Sequence, residues 1–143
     1  MGAAGPLAAC RLCASLAFPA FAVNVFAADP CLAHIAGARS VESERYVLAY
    51  RTQPEQIRVG VHFSVVVSVC VKGGAPAPES MRVDAHMPEH RHGMNYRTVV
   101  ERADEGRYHA EGLMFHMPGR WEYVFELRAG GFTDRVTDSI VLD

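Results

Sequence analysis

The tripeptide His-Met-Pro occurs twice in the chain, at His86–Pro88 and at His116–Pro118. His90, His92 and Met94 follow the first copy; Met117 belongs to the second, and Met114 lies two residues before it. Imidazole nitrogen and thioether sulfur are donor types that suit copper; sulfur favours Cu(I), and imidazoles in a tetragonal arrangement favour Cu(II). The predicted ligand set is His86, His90, His92, Met94, His116 and Met117. It draws four of the chain's seven histidines into two short segments. In an extended stretch His90 and His92 would project to one side, about 7 Å apart at the backbone, so both rings could reach one ion. Zinc could take His90, His92 and a third histidine, but it gives the methionines no role. The rival reading has no metal: a polar loop whose Met87 and Met114 fill the core.

Other chemistry is poorly represented. Gly73-Gly74 and Gly130-Gly131 read as turns rather than phosphate loops, and no Ser-centred nucleophile motif appears. Asp84, two residues before His86, could orient that ring as a hydrogen-bond acceptor. A metal enzyme would need an open coordination position with an acid or base beside it, and only Asp84, Glu89 or Glu111 could serve. The expectation is a binding protein, not an enzyme. His62 and His109 fall mid-strand and read as ordinary surface or satisfied histidines; His34 is an outlying ligand candidate.

The elements that must position these donors are strands. Val61–Val71 alternates strictly, with Phe63, Val65, Val67 and Val69 against Ser64, Val66, Ser68 and Cys70. Period two in β-branched residues fits a pleated, half-buried surface. The same pattern marks Arg45–Arg51, Met81–Met87, Tyr96–Arg102, Arg107–Leu113, Trp121–Leu127 and Phe132–Leu142. Ile57–Gly60 is read as a short edge piece, and Glu89–Asn95 and Met114–Pro118 as loops. Asp104-Glu105-Gly106 and Ala129-Gly130-Gly131 supply hairpin turns. Residues 29–42 have no steady period and read as a leader, with a short helical turn around Leu32–Ala36. About seven short strands and turns every 8–12 residues predict an all-β, immunoglobulin-like β-sandwich. Strand ends cluster at the tips of a sandwich, where loops carry function, so both His-Met-Pro segments are expected at one tip.

Residues 1–27 read as a cleaved signal peptide. The stretch Leu12–Ala28 carries no charge, and Val25-Phe26-Ala27 offers small residues where a signal peptidase reads. The rival is an uncleaved anchor, slightly short of the ~20 residues that span a bilayer. The organisation expected is a signal at 1–27, a leader at 28–44 and one β-sandwich domain at 45–143, in the periplasm or held to the inner membrane. Cys10 and Cys13 would leave with the signal. Cys31 and Cys70 would remain, and an even pair in an exported domain predicts a disulfide. Net charge is −2, with no dense basic patch, which argues against nucleic acid as a partner.

The run Met87-Pro88-x-His90-x-His92-Gly93-Met94, then Gly106-x-Tyr108 and Gly112-Leu113-x-Phe115-x-Met117-Pro118-Gly119-x-Trp121-Glu122, resembles the YtkA-like domain family. The resemblance covers about Glu55 to Asp143, and its most specific part is Met-Pro-Gly-x-Trp-Glu after Gly-Leu-x-Phe. It implies an exported immunoglobulin-like domain, related in architecture to FixH and CopC-like domains and associated with copper handling and oxidase assembly. Copper would be the cargo, and a membrane oxidase-assembly or copper-transport protein the partner. The alternative is an interaction domain, without metal, that assists assembly of a membrane oxidase or transporter.

Overall fold

In the computed structural model, residues 1–2, 35 and 37–143 are described. Nearly all of the expected signal segment, together with Cys31, His34 and most of the expected helical turn, lies outside them. Every regular element among the described residues is a β-strand. In order these are β1 (Arg39–Glu42), β2 (Tyr46–Gln53), β3 (His62–Val71), β4 (Ser80–Met87), β5 (His92–Gly93), β6 (Val99–Asp104), β7 (Arg107–Met114), β8 (Gly119–Ala129) and β9 (Phe132–Leu142). They form two antiparallel sheets, a five-stranded one in the order β1-β2-β3-β7-β6 and a four-stranded one in the order β5-β4-β8-β9.

Alternation decides what each sheet turns inward. Tyr46, Leu48 and Tyr50 of β2 and Phe63, Val65, Val67 and Val69 of β3 are buried on one side. Met81, Val83, Ala85 and Met87 of β4 and Trp121, Tyr123, Phe125 and Leu127 of β8 answer from the other sheet. Several aromatic pairs meet edge to face or tilted, a geometry their quadrupoles favour. Tyr50 lies 5.4 Å from Tyr123 and 4.9 Å from Phe125, centroid to centroid. Phe63 lies 5.0 Å from Phe115.

The inner face of β9 is mixed, with Asp134, Val136, Asp138 and Ile140 in alternation. The two carboxylates are matched from the opposite sheet. Asp138 accepts from Arg39 Nε and Nη2 at 2.7 and 2.9 Å and from the Tyr50 hydroxyl at 2.6 Å. Asp134 accepts from the Ser43 hydroxyl at 2.8 Å and from Arg45 Nη2. These bonds tie the β1–β2 hairpin to β9 and close that side of the sandwich.

The architecture agrees with the sequence reading, with nine strands rather than about seven. One addition is β1, which lies in the stretch read as a leader. It is mostly exposed and has no apolar period; backbone pairing with β2 and the Arg39–Asp138 bond hold it. The other is β5, a two-residue pairing with β4 inside the expected 89–95 loop. Ile57–Gly60 forms no strand, and β6 begins at Val99 rather than Tyr96.

A bulge also changes β7. Its pairing with β3 shifts from Val65↔Ala110 to Phe63↔Leu113, so one extra residue is inserted and the faces exchange. Gly112 sits there at φ 85°, and a side chain on it would come within 3.2 Å of the Arg97 carbonyl oxygen. Past the bulge, Leu113 and Phe115 are the fully buried residues.

Candidate metal centre at one end of the sandwich

Pairing brings the end of β4, the start of β8, the end of β7 and the start of β3 to one end of the molecule. Both His-Met-Pro segments are at this end. In the four-stranded sheet Met87 pairs with His92 on one side, and His86 pairs with Glu122 on the other. Residues opposite one another in an antiparallel ladder share a face. Met87 and Trp121, each 0 % exposed, therefore share the inner face with His92.

Trp121 is the floor of the cluster. Its ring stacks on Phe115 at 4.5 Å and 18°, and its Nε1 donates to the Met117 carbonyl oxygen at 3.0 Å. Two imidazoles stand edge-on to it, His116 at 5.3 Å and His92 at 6.1 Å. His92 and His116 are themselves 5.1 Å apart, and His90 follows His92 at 5.9 Å. Three imidazoles from two loops thus form a row against one indole. His90 and His92 converge for a reason other than an extended chain. Pro88–Arg91 is a turn in which the His90 amide donates to the Met87 carbonyl at 3.2 Å. Among the described residues Arg91 is the non-glycine residue at positive φ, 53°, and it folds the chain back so that both rings face the same way.

Packing leaves two of these rings incomplete. His92 Nε2 and His116 Nδ1 are buried and have no hydrogen-bond partner. Buried polar atoms are nearly always paired, and an exception needs an explanation. The rings confront one another more by face than by nitrogen, at interplanar angles of 27° and 32°. Among the described residues no group of three His, Cys, Asp or Glu side chains is arranged to enclose a metal ion. What the geometry offers is two unpaired nitrogens and a third imidazole beside them, with Met94 and Met117 close by in sequence. Met94 and Met117 are partly buried against the core. Met94 is two residues beyond His92, and its amide donates to the Ala85 carbonyl at 3.1 Å.

His86 does not join this group. Strand alternation turns it to the outer face, where its Nε2 lies 3.4 Å from Glu122 Oε1. Asp84 does not orient it; that carboxylate takes Arg82 Nη2 at 2.5 Å and the Ala85 amide at 2.8 Å. His62, expected mid-strand, opens β3 at this end with its ring 5.0 Å from Tyr96. Met114, a donor candidate, pairs with His62 across the ladder and is half-buried. Cys70 is buried in β3 opposite Val47, while Cys31 lies outside the described residues.

Two site residues escaped the sequence reading. Trp121 reads as plain core, although its position four residues after Met117 is the spacing its indole N–H spans. Gly119 reads as a turn residue, but at φ 122° its missing side chain leaves room for Met87 Cε, which a Cβ would meet at 2.8 Å.

No curated protein matches the sequence. The fold is similar to a solved structure of a DUF4426 family protein from Pseudomonas aeruginosa, 13% identical, with a TM-score of 0.46, covering 75% of this chain and 97% of that one. The family model described as YtkA-like matches residues 42–125, which include every donor of the row and the indole beneath it. The match starts in β1 and ends within β8, somewhat earlier at both ends than the motifs suggest. The chain belongs to the YtkA-like family.

Proposed function

We propose that this protein is an exported copper-binding protein, a chaperone or store rather than an enzyme. Its site would centre on His92 and His116, with His90, Met94 and Met117 completing the donor set and His86 outside it. The observation that carries the reading is the pair of buried, unpaired nitrogens, His92 Nε2 and His116 Nδ1, on rings 5.1 Å apart. Leaving such an atom unsatisfied costs about 1–3 kcal/mol, and a soft cation between the rings would remove that cost. Thioethers beside imidazoles favour Cu(I) over zinc. Export to the periplasm, free or anchored at the inner membrane, gives such a protein a membrane oxidase-assembly or copper-transport protein as partner. It would also let Cys31 and Cys70 pair as a disulfide.

The indole makes the test direct, because Trp121 is the chain's single tryptophan. Titration of the metal-free protein with Cu(I) under reductant, and separately with Cu(II), should quench its fluorescence at about one equivalent, with affinity below micromolar. The double variant His92→Ala/His116→Ala should bind more than roughly tenfold more weakly, since metal affinity depends on each ligand. Undiminished affinity in that variant would refute the site. A second reading rests on a different observation. Tyr96 and Val99 are exposed, at 43% and 62%, close to the same end, as a surface that docks on a membrane oxidase or transporter during assembly would be. Absence of copper binding with retained binding to such a partner would favour it.

A further inference from the structure

On the opposite edge of the four-stranded sheet from the histidines, a cleft of about 630 Å³ opens between the end of β9, residues 50–52 of β2 and the 55–58 segment. We propose that it binds a small amphiphile with one anionic head group, a carboxylate or sulfonate, on an apolar body. The volume falls within the ~300–1,000 Å³ usual for small-ligand sites. Ile57, Ile140 and Leu142 supply apolar wall. Tyr123 forms the floor; it is 0 % exposed, and its hydroxyl has no hydrogen-bond partner. The contrast with Tyr50 is informative, because that hydroxyl, on the facing sheet and lining the same cleft, is matched by Asp138. One hydroxyl at the base of the cleft is therefore buried without a partner.

Charge selects the head group. Arg51 and Arg58 are exposed on the rim, and neither forms an ion pair among the described residues. The third guanidinium of the cleft, Arg39, is already engaged by Asp138. Glu55 and Asp143 also reach the rim and offset the two free guanidiniums in formal charge, so the rim can pair at most one anionic head group with an arginine and disfavours a polyanion. Ligand pockets of this kind are mostly apolar with a few placed polar groups. The inference does not depend on metal at the histidine end, since none of the proposed donors lines the cleft. It does share a reporter with that end, because Ile140 of the cleft pairs directly with Trp121.

Anilinonaphthalene sulfonate is a suitable probe. The full chain should bind about one equivalent saturably, with energy transfer from Trp121. Dodecanoate should displace it and dodecanol should not. Arg51→Ala/Arg58→Ala should weaken binding about fivefold or more, and Leu142→Glu should abolish it. Tyr123→Phe, which keeps the ring, should weaken binding about threefold to fivefold, the worth of one hydrogen bond. A shared unfolding midpoint will show that the rim variants are folded. Lack of saturable binding, equal displacement by dodecanol, or unchanged affinity in the arginine double variant would each overturn the proposal.

Discussion

At the β9 edge, the carboxylates of Asp134 and Asp138 lie against the core and are met by Ser43, Arg45, Arg39 and Tyr50 from the facing sheet. At the β4–β8 end, the imidazoles of His92 and His116 lie against the same core, and each keeps a buried nitrogen that nothing meets. Both regions put polar groups where water is scarce. The difference lies in how the acids and the rings are met: both carboxylates find donors, although Arg45 Nε beside them is buried without a partner. A buried charge is tolerated when donors surround it, and the aspartate cluster is built that way. A ring with an unpaired nitrogen keeps a coordination position available. The first region works as a clamp between sheets, and the second has the character of a receptacle.

The most damaging change to this contrast should be Asp138→Ala. It strips the Tyr50 hydroxyl, itself in a residue 1 % exposed, of its acceptor and releases Arg39 from β9. Loss of about 2–3 kcal/mol is expected, the usual consequence of orphaning a buried donor, and urea unfolding would measure it. A loss near zero would mean the clamp is ornamental and the two regions do not differ.

Acid should act on the clamp next, with a smaller effect. Burial pushes the Asp138 carboxyl upward, but hydrogen bonds from Arg39 and Tyr50 outweigh burial and leave it below the ordinary carboxylate value. Burial, and then the bond to Asp138, push the Tyr50 hydroxyl above its ordinary range, so it stays a donor throughout. Because the folded carboxyl is the stronger acid, its contribution is complete above about pH 4, the ordinary carboxylate value. That contribution is lost as the pH falls through the lower folded value. Unfolding midpoints measured from neutral pH down to about pH 2 should fall more steeply in the wild type than in Asp138→Asn. Parallel curves would remove Asp138 from the account.

Sequence made these regions legible to different degrees, for physical reasons. Strand alternation is local, so Val61–Val71, Met81–Met87 and Phe132–Leu142 can be read directly, and the last of these coincides with β9. Alternation also puts His86 on the face of Arg82 and Asp84, away from Met87; counting it with His92 ignored that parity. The β7 bulge is invisible to a period-two reading, which would turn Gly112 inward in place of Leu113. The clamp was not legible at all. Its bonds join residues 99 and 88 positions apart, Arg39 and Tyr50 to Asp138, and in sequence these are ordinary surface residues. The meeting of the two His-Met-Pro segments was legible because both sit at strand ends, where an antiparallel sandwich gathers its loops. Their floor was not, since nothing local distinguishes an indole that supports a site from one that fills a core.

The smallest effect expected is the most discriminating one. His92→Leu/His116→Leu, studied without metal, should leave stability within about 0.5 kcal/mol of the wild type or raise it by up to about 1 kcal/mol. Leucine has a similar volume, and removing a polar atom that has no partner removes its desolvation cost rather than a bond. Replacing Asp138 has the opposite consequence, because there the departing group leaves a donor behind. If the leucine double variant instead unfolds as readily as Asp138→Ala, the two nitrogens are paired in solution, and the histidine end is a second clamp. If it is as stable as the wild type and no longer quenches with copper, then stability and binding separate at these two rings. That separation is what a residue kept for a ligand should show, since its unmet nitrogen contributes to the loaded state and nothing to the empty one.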